Sequence, residues 1–397
     1  MIIVRVYILL VLTVQPSYSD FSRVRFFNAL DGLRALSILG VLWAHVWYVS
    51  GREYYQQLIR IPILRSGSFG VDIFFGISGF LITTLLLRER AENGNVSLRS
   101  FYLRRSLRIW PLYYATLGFY VLLVIFLQRG TGRDHVFFHF LPGYLTYTYT
   151  WFAGWEASGT IFNFAWSLSV EEQFYVLWAL VLRVLRGFLP VLVMVLLIFL
   201  RLGASFGFLQ HLVRKGSLPW RMAGGIAVPI CLGAILAQIL QSERGFRVLR
   251  PILGRKWSAP ACLLALLVAL IPSTLTWQPL QWFMVVALVG SCVIREDNGL
   301  SRFLKFRPLA YIGVVSYGMY LLNTLTLDGL NPIMNRLGLH HPLLKFPIFV
   351  AMTVLVAGLS YRFFETPFLR LKERFSKLHE VQPVTKIAVP PVDVASR

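Results

Sequence analysis

Charged side chains are scarce in this sequence, and acidic ones are the scarcest. Only 14% of the 397 residues are charged, 56% are hydrophobic, and 18 Asp and Glu residues stand against 39 Lys and Arg residues. Several apolar runs come close to the roughly 20 residues that a helix needs to cross a bilayer. The composition therefore predicts an all-α, polytopic integral membrane protein that has the lipid bilayer as a partner.

The shortage of acidic residues leaves a net charge of +21. In a soluble protein such a charge would point to a nucleic-acid partner. Here the basic residues gather in short segments between the apolar runs, as the positive-inside rule predicts. The charge is therefore mostly a signal of topology, and no nucleic-acid partner is expected.

Cysteine is also rare. Cys231, Cys262 and Cys292 lie far apart, in or at the edge of apolar runs, and no two of them have C-x-x-C spacing. This pattern is typical of buried packing residues, so we expect neither a disulfide nor a metal site formed by cysteine.

The apolar runs predict ten membrane-spanning helices, and the basic residues predict their orientation. The ten predicted spans are 28–50, 70–88, 109–128, 169–186, 189–206, 221–241, 258–272, 279–294, 310–328 and 344–364. Basic residues concentrate before the first span and in every second connection, although the connection around 214–221 is an exception. The rule that basic loops stay inside then places both ends of the ten-helix core in the cytoplasm.

A further stretch, His135 to Trp151, is apolar enough to compete as an eleventh span. Counting it would put the later basic loops outside, so we interpret it as an interfacial or re-entrant segment rich in aromatic residues. His135 and His139 are one helical turn apart, but no third ligand is evident, so no metal site is expected.

The first predicted span carries two ionisable residues, Arg34 and His45. They are eleven positions apart, which returns to within about 20° of the same helix face and separates them by about 16 Å along the axis. Such residues are costly in a membrane and are a functional hypothesis by default. The alternatives are an arginine that extends its side chain to the membrane interface and a histidine with a purely structural hydrogen bond.

Three carboxylates lie near the predicted outer ends of other spans: Asp72 in the second, and Glu171 and Glu172 in the fourth. Each could stabilise a helix N-terminus, bind substrate hydroxyls or orient His45. Two adjacent glutamates point to different faces, so at least one could face the interior of the bundle.

Arg104, Arg105 and Arg108 precede the third predicted span at its cytoplasmic edge. Arg105 and Arg108 share a helix face and could bind phosphates, or they could simply determine topology. The pattern as a whole predicts arginines at the inner mouth and the histidine and acids towards the outer end.

Six blocks, in this order, carry a resemblance to a known family: LDGLRALSILGVLWAH, GVDIFFGISGFLIT, FYLRRSLRIWPLYY, WSLSVEEQFYVLW, YIGVVSYGMYLLN and SYRFFETPFLRL. The chain resembles the acyltransferase-3 family of membrane enzymes that O-acylate surface carbohydrates and other hydroxylated molecules. The resemblance covers about residues 27–371, the predicted transmembrane domain. Residues 1–26 form an apolar, signal-like extension, for which a start-site error, an uncleaved helix and a true signal peptide stay open. Residues 372–397 are predicted to be a basic and then disordered cytoplasmic tail.

The resemblance implies roles for individual residues. The family's Arg-x10-His signature falls on Arg34 and His45, the latter at the family's essential position. The R-x-x-R element falls on Arg105 and Arg108. Glu171 and Glu172 lie in the S-x-E-E-Q-F-Y block, and Asp72 lies in the G-V-D-x-F-F block. Asn323 departs from the pattern, because many relatives carry a histidine there.

The implied function is transfer of an acyl group, most often acetyl, from cytoplasmic acyl-coenzyme A to a hydroxyl of an extracytoplasmic or membrane-associated glycan. Acetyl-coenzyme A is expected as donor substrate, with no permanently bound cofactor, in the plasma (inner) membrane of a bacterium. His45 would act as general base or form an acyl-histidine intermediate, helped by Asp72, Glu171 or Glu172, while Arg34, Arg105 and Arg108 would contact the donor. A transporter or flippase of lipid-linked sugars is the alternative, and a membrane scaffold is a third.

Overall fold

The computed structural model describes residues 16–51, 53–54, 56, 67, 69–153, 160–271 and 277–373. Most of the signal-like extension and nearly all of the predicted tail lie outside these residues. Within them, every regular element is a helix, which confirms the all-α fold class.

Eighteen α-helices follow one another along the described chain. They are α1 Tyr18–Arg23, α2 Asn28–Val49, α3 Phe69–Asn93, α4 Leu98–Leu127, α5 Arg133–Leu145, α6 Tyr149–Phe152, α7 Trp166–Val184, α8 Leu189–Ser205, α9 Leu218–Gly224, α10 Val228–Leu240, α11 Glu243–Leu253, α12 Ser258–Ala269, α13 Gln278–Ile294, α14 Ser301–Leu304, α15 Arg307–Val314, α16 Ser316–Arg336, α17 Pro342–Ser360 and α18 Thr366–Glu373. Two 3-10 turns, Asn163–Ala165 and Phe208–His211, and a π-helical turn, Tyr361–Glu365, complete the described elements.

Four of these helical segments are long and apolar enough to cross a membrane: α2, α3, α4 and the continuous stretch from Pro342 to Leu371. Two bent pairs raise the number to six if each is one broken span: α9 with α10, bent by 58°, and α11 with α12, bent by 71°. Helices α8 and α13 are apolar but shorter. The chain is therefore a multi-pass membrane protein, while the count of ten spans and their orientation stay predictions.

Helix α4 begins earlier than the predicted third span, which was placed at 109–128. It starts at Leu98 and runs for 30 residues, or about 45 Å, well beyond the ~30 Å of a hydrocarbon core. Arg104, Arg105 and Arg108 therefore lie within the first three turns of a continuous helix. Their side chains are held in place by the helix itself, not by a flexible loop.

The aromatic segment around His135 to Trp151 forms two short helices. Helix α5 has 13 residues and α6 has four, and neither reaches the length of a span. Buried rings from both, including Tyr144 and Tyr149, pack against Phe162 and each other. The structure therefore favours the interfacial or re-entrant interpretation over an eleventh span.

Small residues bring the central helices into backbone contact. A side chain at Gly79 of α3 would collide with the backbone of Ile230 in α10, and one at Gly233 would collide with the backbone of Gly76. Gly313 of α15 lies in the same way against the carbonyl of Asp31 in α2. Because lipid tails are as apolar as the helices, this close packing supplies much of the attraction between helices in a membrane.

A buried ion pair closes the connection between α3 and α4. Glu89 accepts a hydrogen bond at 2.8 Å from Arg104, and its other oxygen accepts one at 2.9 Å from the backbone N–H of Ser97. The two side chains are 10% and 20% exposed. One carboxylate thus joins the end of α3 to the start of α4, which carries the arginines of the candidate site.

We expect Glu89→Ala to lower the free energy of unfolding by roughly 2–3 kcal/mol, since it leaves a half-buried guanidinium and a backbone N–H without this acceptor. The change is measured by thermal and denaturant unfolding of the purified protein in detergent. The matched control is Glu243→Ala, whose pair with Arg247 is 3.8 Å long and largely exposed, and which should change little. Equal effects of the two substitutions would contradict a structural role for Glu89.

Candidate functional site

His45 lies near the C-terminal end of α2, and its partner comes from α16. The Nδ1 atom of His45 is 2.6 Å from Oδ1 of Asn323, a residue 0% exposed. Of the described residues, only Asn323 forms a hydrogen bond with the His45 ring. The carboxylates that the sequence suggested as orienting groups do not contact it, and an amide takes that place.

The two glutamates of α7 point to different neighbours, as their adjacency predicts. Glu171 accepts a hydrogen bond at 2.7 Å from the hydroxyl of Ser78 in α3, and Tyr175 donates to the same hydroxyl at 3.2 Å. Glu172 accepts one at 3.3 Å from the indole N–H of Trp110 in α4. The start of α7 therefore connects α3 and α4 through two acidic side chains that both face the protein interior.

Glu172 is only 8% exposed and has spare capacity to accept hydrogen bonds. Its Oε1 atom is buried and accepts no hydrogen bond from the described part of the chain. Its charge also acts on nearby tyrosines, among them Tyr113, Tyr147 and Tyr317. A carboxylate oxygen in an aromatic environment can accept a hydrogen bond from a hydroxyl or amide group of a ligand.

The arginines meet these glutamates inside the protein. Arg105 lies over the ring of Tyr175, 5.3 Å from its centroid, and the charges of both Arg34 and Arg105 act on Glu171. The structure thus brings an arginine close to Glu171, and the placement of arginines and acids towards opposite mouths of the bundle stays a prediction. Sequence position along each helix could not reveal this proximity, because it depends on how far the helices are shifted against one another.

Arg105 and Arg108 differ from the arginines around them in having no partner of opposite charge at ion-pair distance. Arg34 pairs with Asp31 at 3.3 Å, and Arg104 pairs with Glu89. Within the described ranges, neither Arg105 nor Arg108 forms an ion pair or donates a hydrogen bond. The charge of Arg108 acts on Arg34, and the charges of Arg105 and Arg108 act on each other. Two guanidinium groups of like charge therefore lie near each other, and their N–H donors are unused.

Several of these ionisable side chains are partly accessible. Arg34, His45, Arg105 and Glu171 each keep part of their surface exposed. For Arg34 the exposed fraction of the side chain is 22%.

Asp72 is the predicted site residue that the structure does not bring to the others. It lies in the first turn of α3, where its charge and that of Arg201 in α8 attract each other. No described contact joins it to His45 or to the two glutamates. Its position fits a charge that stabilises the N-terminus of α3 and attracts α8.

Sequence reasoning gave no role to several residues that complete the site. Ser78, Trp110 and Tyr175 contact the glutamates or Arg105. All three lie inside the motif blocks, so membership of a block is the sequence signal that could have identified them. Asn323 was noticed only as a departure. Nothing in the sequence shows that it meets His45, 278 positions away.

Metal ligands are not assembled in the described part of the chain. No group of three or more His, Cys, Asp or Glu side chains there could hold a metal ion. The three cysteines are free, with Cys231 and Cys292 buried.

The fold and the site together define a class: a multi-pass helical membrane protein whose helices carry a partly buried histidine, two adjacent glutamates that face inward, and arginines without ion-pair partners in the described part of the chain. A sequence family described as an acyltransferase domain matches residues 27–362. The chain belongs to this family, the acyltransferase-3 family, as its motif blocks indicated.

The chain is similar to several named bacterial proteins. The peptidoglycan O-acetyltransferase OatA of Listeria monocytogenes is 28% identical over 86% of this chain and 56% of its own length. YrhL of Bacillus subtilis, provisionally named for the same activity, is 27% identical over 88% of the chain and 56% of its own length. A provisionally named O-acetyltransferase of Staphylococcus aureus is 25% identical, with 88% and 58% covered. The chain thus spans little more than half the length of these relatives. No solved structure matches it at a significant level.

Proposed function

We propose that this protein is an O-acyltransferase that moves an acyl group, with acetyl as the first candidate, from acyl-coenzyme A to a hydroxyl of a glycan. The observation that carries the proposal is a histidine, His45, whose Nδ1 contacts Asn323 and whose other ring nitrogen has no partner among the described residues, within the family's acyltransferase domain. The family match and the relatives' names support a transferase and give no support to the transporter alternative.

In the proposed reaction His45 removes the proton of the acceptor hydroxyl while the oxygen attacks the carbonyl carbon of the thioester. The new C–O bond forms, the C–S bond breaks, and the leaving thiolate takes up the proton from His45. The products are an O-acyl ester and free coenzyme A. Transfer in two steps through an acyl-histidine intermediate also conserves atoms and charge, and it is the alternative mechanism.

The donor's charges suggest how it would bind. Coenzyme A carries phosphates, and Arg105 and Arg108 offer unused guanidinium donors in the first turns of α4, where forked N–H groups match phosphate oxygens. The predicted topology has ten spans and both ends of the core in the cytoplasm. In that orientation the first turns of α4 would face the cytoplasm. Arg34 would lie between them and His45.

The acceptor would approach from the opposite side of the membrane. Glu171, Glu172 or Asp72 would bind its hydroxyls. Oε1 of Glu172 is the first candidate, because it accepts no hydrogen bond from the described part of the chain. The names of the relatives suggest a cell-wall glycan such as peptidoglycan as the acceptor class. The compartment we propose is accordingly the plasma membrane of a bacterium.

The test is consumption of acetyl-coenzyme A by the purified full chain in nanodiscs, with peptidoglycan fragments and other oligosaccharides as acceptors. We expect release of free coenzyme A that depends on an acceptor, with an acyl ester on the sugar detected by mass spectrometry. If the donor neither binds nor reacts with any acceptor, the transferase proposal is wrong.

A further inference from the structure

The amide of Asn323 can adopt only one orientation. Its Nδ2 atom is 2.5 Å from the backbone carbonyl of Tyr320, which can accept a hydrogen bond but cannot donate one. Rotating the amide by 180° would place two carbonyl oxygens against each other at that distance. Thr324 adds a second constraint, since its hydroxyl donates to Oδ1 at 3.3 Å. Oδ1 is therefore the atom that faces His45.

This orientation decides where the proton of a neutral His45 resides. An amide oxygen is only an acceptor, so Nδ1 of the imidazole, 2.6 Å away, must carry the hydrogen. In a neutral imidazole the other nitrogen then has a free lone pair. Nε2 has no hydrogen-bond partner among the described residues, and the His45 side chain keeps part of its surface exposed.

We propose that Asn323 is a positioning residue that holds His45 in the Nδ1–H tautomer and so leaves Nε2 free towards the site. The tautomer follows from the contacts alone, while its value for catalysis depends on the proposed transfer reaction. Both open mechanisms need this arrangement, because a general base and an acyl-accepting nucleophile each use the lone pair of Nε2.

The surroundings of Asn323 keep it in place. The residue is 0% exposed, so a change of rotamer would leave a buried amide without partners, at considerable cost. Tyr320, one turn earlier in α16, has its hydroxyl 2.5 Å from Ser167 and donates to the carbonyl of Phe164 at 3.0 Å. Helix α16 is thereby fixed to the start of α7, close to the two glutamates.

An amide performs this task without adding a charge to the interior. The role resembles that of the group that orients a catalytic histidine in hydrolase triads, where loss of the correct tautomer strongly reduces turnover. Removing the partner that orients a metal-bound histidine typically changes activity by about 10- to 100-fold. We expect an effect of that size here.

The direct test is nitrogen-15 NMR of the full chain labelled with [15N]histidine in nanodiscs, near neutral pH. Protonated and unprotonated ring nitrogens resonate far apart, and the His45 signals among the seven histidines are assigned by their loss in His45→Ala. We expect a protonated Nδ1 and a bare Nε2. A bare Nδ1, or an even mixture of tautomers, would overturn the proposal whether or not transfer is observed.

The kinetic test uses Asn323→Leu, which keeps the volume and removes the acceptor. We expect kcat to fall by about 10- to 100-fold, with little change in the KM of the acyl donor. Asn323→Asp should restore most of the rate, because a protonated carboxyl can accept from His45 and donate to Tyr320. Thr326→Val is the control on the same helix, since its hydroxyl bonds only to Leu322 of that helix.

A normal kcat in Asn323→Leu would overturn the positioning role. A second result would also overturn it: Asn323→Asp and Asn323→Leu are equally slow although both proteins elute and unfold like the parent. The shape of the residue, and not its acceptor atom, would then determine the rate. Since the NMR result does not depend on turnover, a failure of the proposed reaction and a failure of this inference give different results.

Discussion

Replacing His45 by alanine should abolish acyl transfer while the protein still folds. A general base contributes about 10²- to 10⁴-fold to a rate, and the loss would be larger if His45 forms a covalent intermediate, because the whole route would then be closed. His45 is partly exposed, and only Asn323 among the described residues bonds to its ring, so the variant should keep its fold. The measurement is acceptor-dependent release of free coenzyme A, compared at equal protein concentration with the parent.

The matched control for this prediction is His139→Ala. His139 lies on an exposed face of α5, and we assign it no part in the site, so its truncation should leave turnover unchanged. Size-exclusion profile and unfolding midpoint of both variants show whether they fold. Near-normal turnover in a folded His45→Ala protein would refute the assignment of His45.

The motif blocks select candidate site residues, but they do not predict which pairs form. Arg105 and Glu171 are both candidates from the sequence, and the structure brings them to one residue, because Arg105 lies over the ring of Tyr175, whose hydroxyl shares Ser78 with Glu171. The partner of His45 was not selected. A hydrogen bond between α2 and α16 depends on how the two helices pack, which no local pattern in a single sequence encodes.

The helices were easier to locate than to count. Apolar length predicted α2 and α3 well, because each is a long uninterrupted run. It treated 221–241 as one span, whereas the chain bends by 58° between Leu218–Gly224 and Val228–Leu240. Gly224, Gly225 and Pro229 mark this break in retrospect, since glycine weakens a helix and proline is best placed in a first turn. Hydropathy alone is insensitive to such bends.

The proximity of arginines and glutamates changes how the site is expected to work. If the acids lay far from the arginines, donor and acceptor would bind at separate ends and the acyl group would need to travel. Because Arg105 lies over the ring of Tyr175, whose hydroxyl shares Ser78 with Glu171, the proposed donor and acceptor regions would instead be adjacent. A donor whose phosphates bind the arginines could then extend its thioester arm past Arg34 towards His45.

Replacing Arg105 and Arg108 together by alanine should raise the KM of the acyl donor by roughly 10²- to 10⁴-fold, because two charge-assisted hydrogen bonds to phosphate are lost and each contributes about 1.5–3 kcal/mol. The effect on kcat at saturating donor should be much smaller, since these groups bind the part of the donor that does not react. The paired Arg105→Lys and Arg108→Lys variant should be intermediate, as lysine keeps the charge and loses the forked geometry. Initial rates over a range of acetyl-coenzyme A concentrations measure all three proteins.

Arg104→Ala separates donor binding from a general effect of positive charge on α4. Arg104 is adjacent in sequence, but it is engaged by Glu89 in the connection between α3 and α4, so its loss should lower stability and leave the donor KM unchanged. The contrast depends on the unpaired state of Arg105 and Arg108, which is the feature that distinguishes them from their neighbours. An unchanged KM in the double alanine variant would show that the two arginines serve only topology. Equal increases of KM in Arg104→Ala and in the double variant would show that only the overall positive charge of α4 matters.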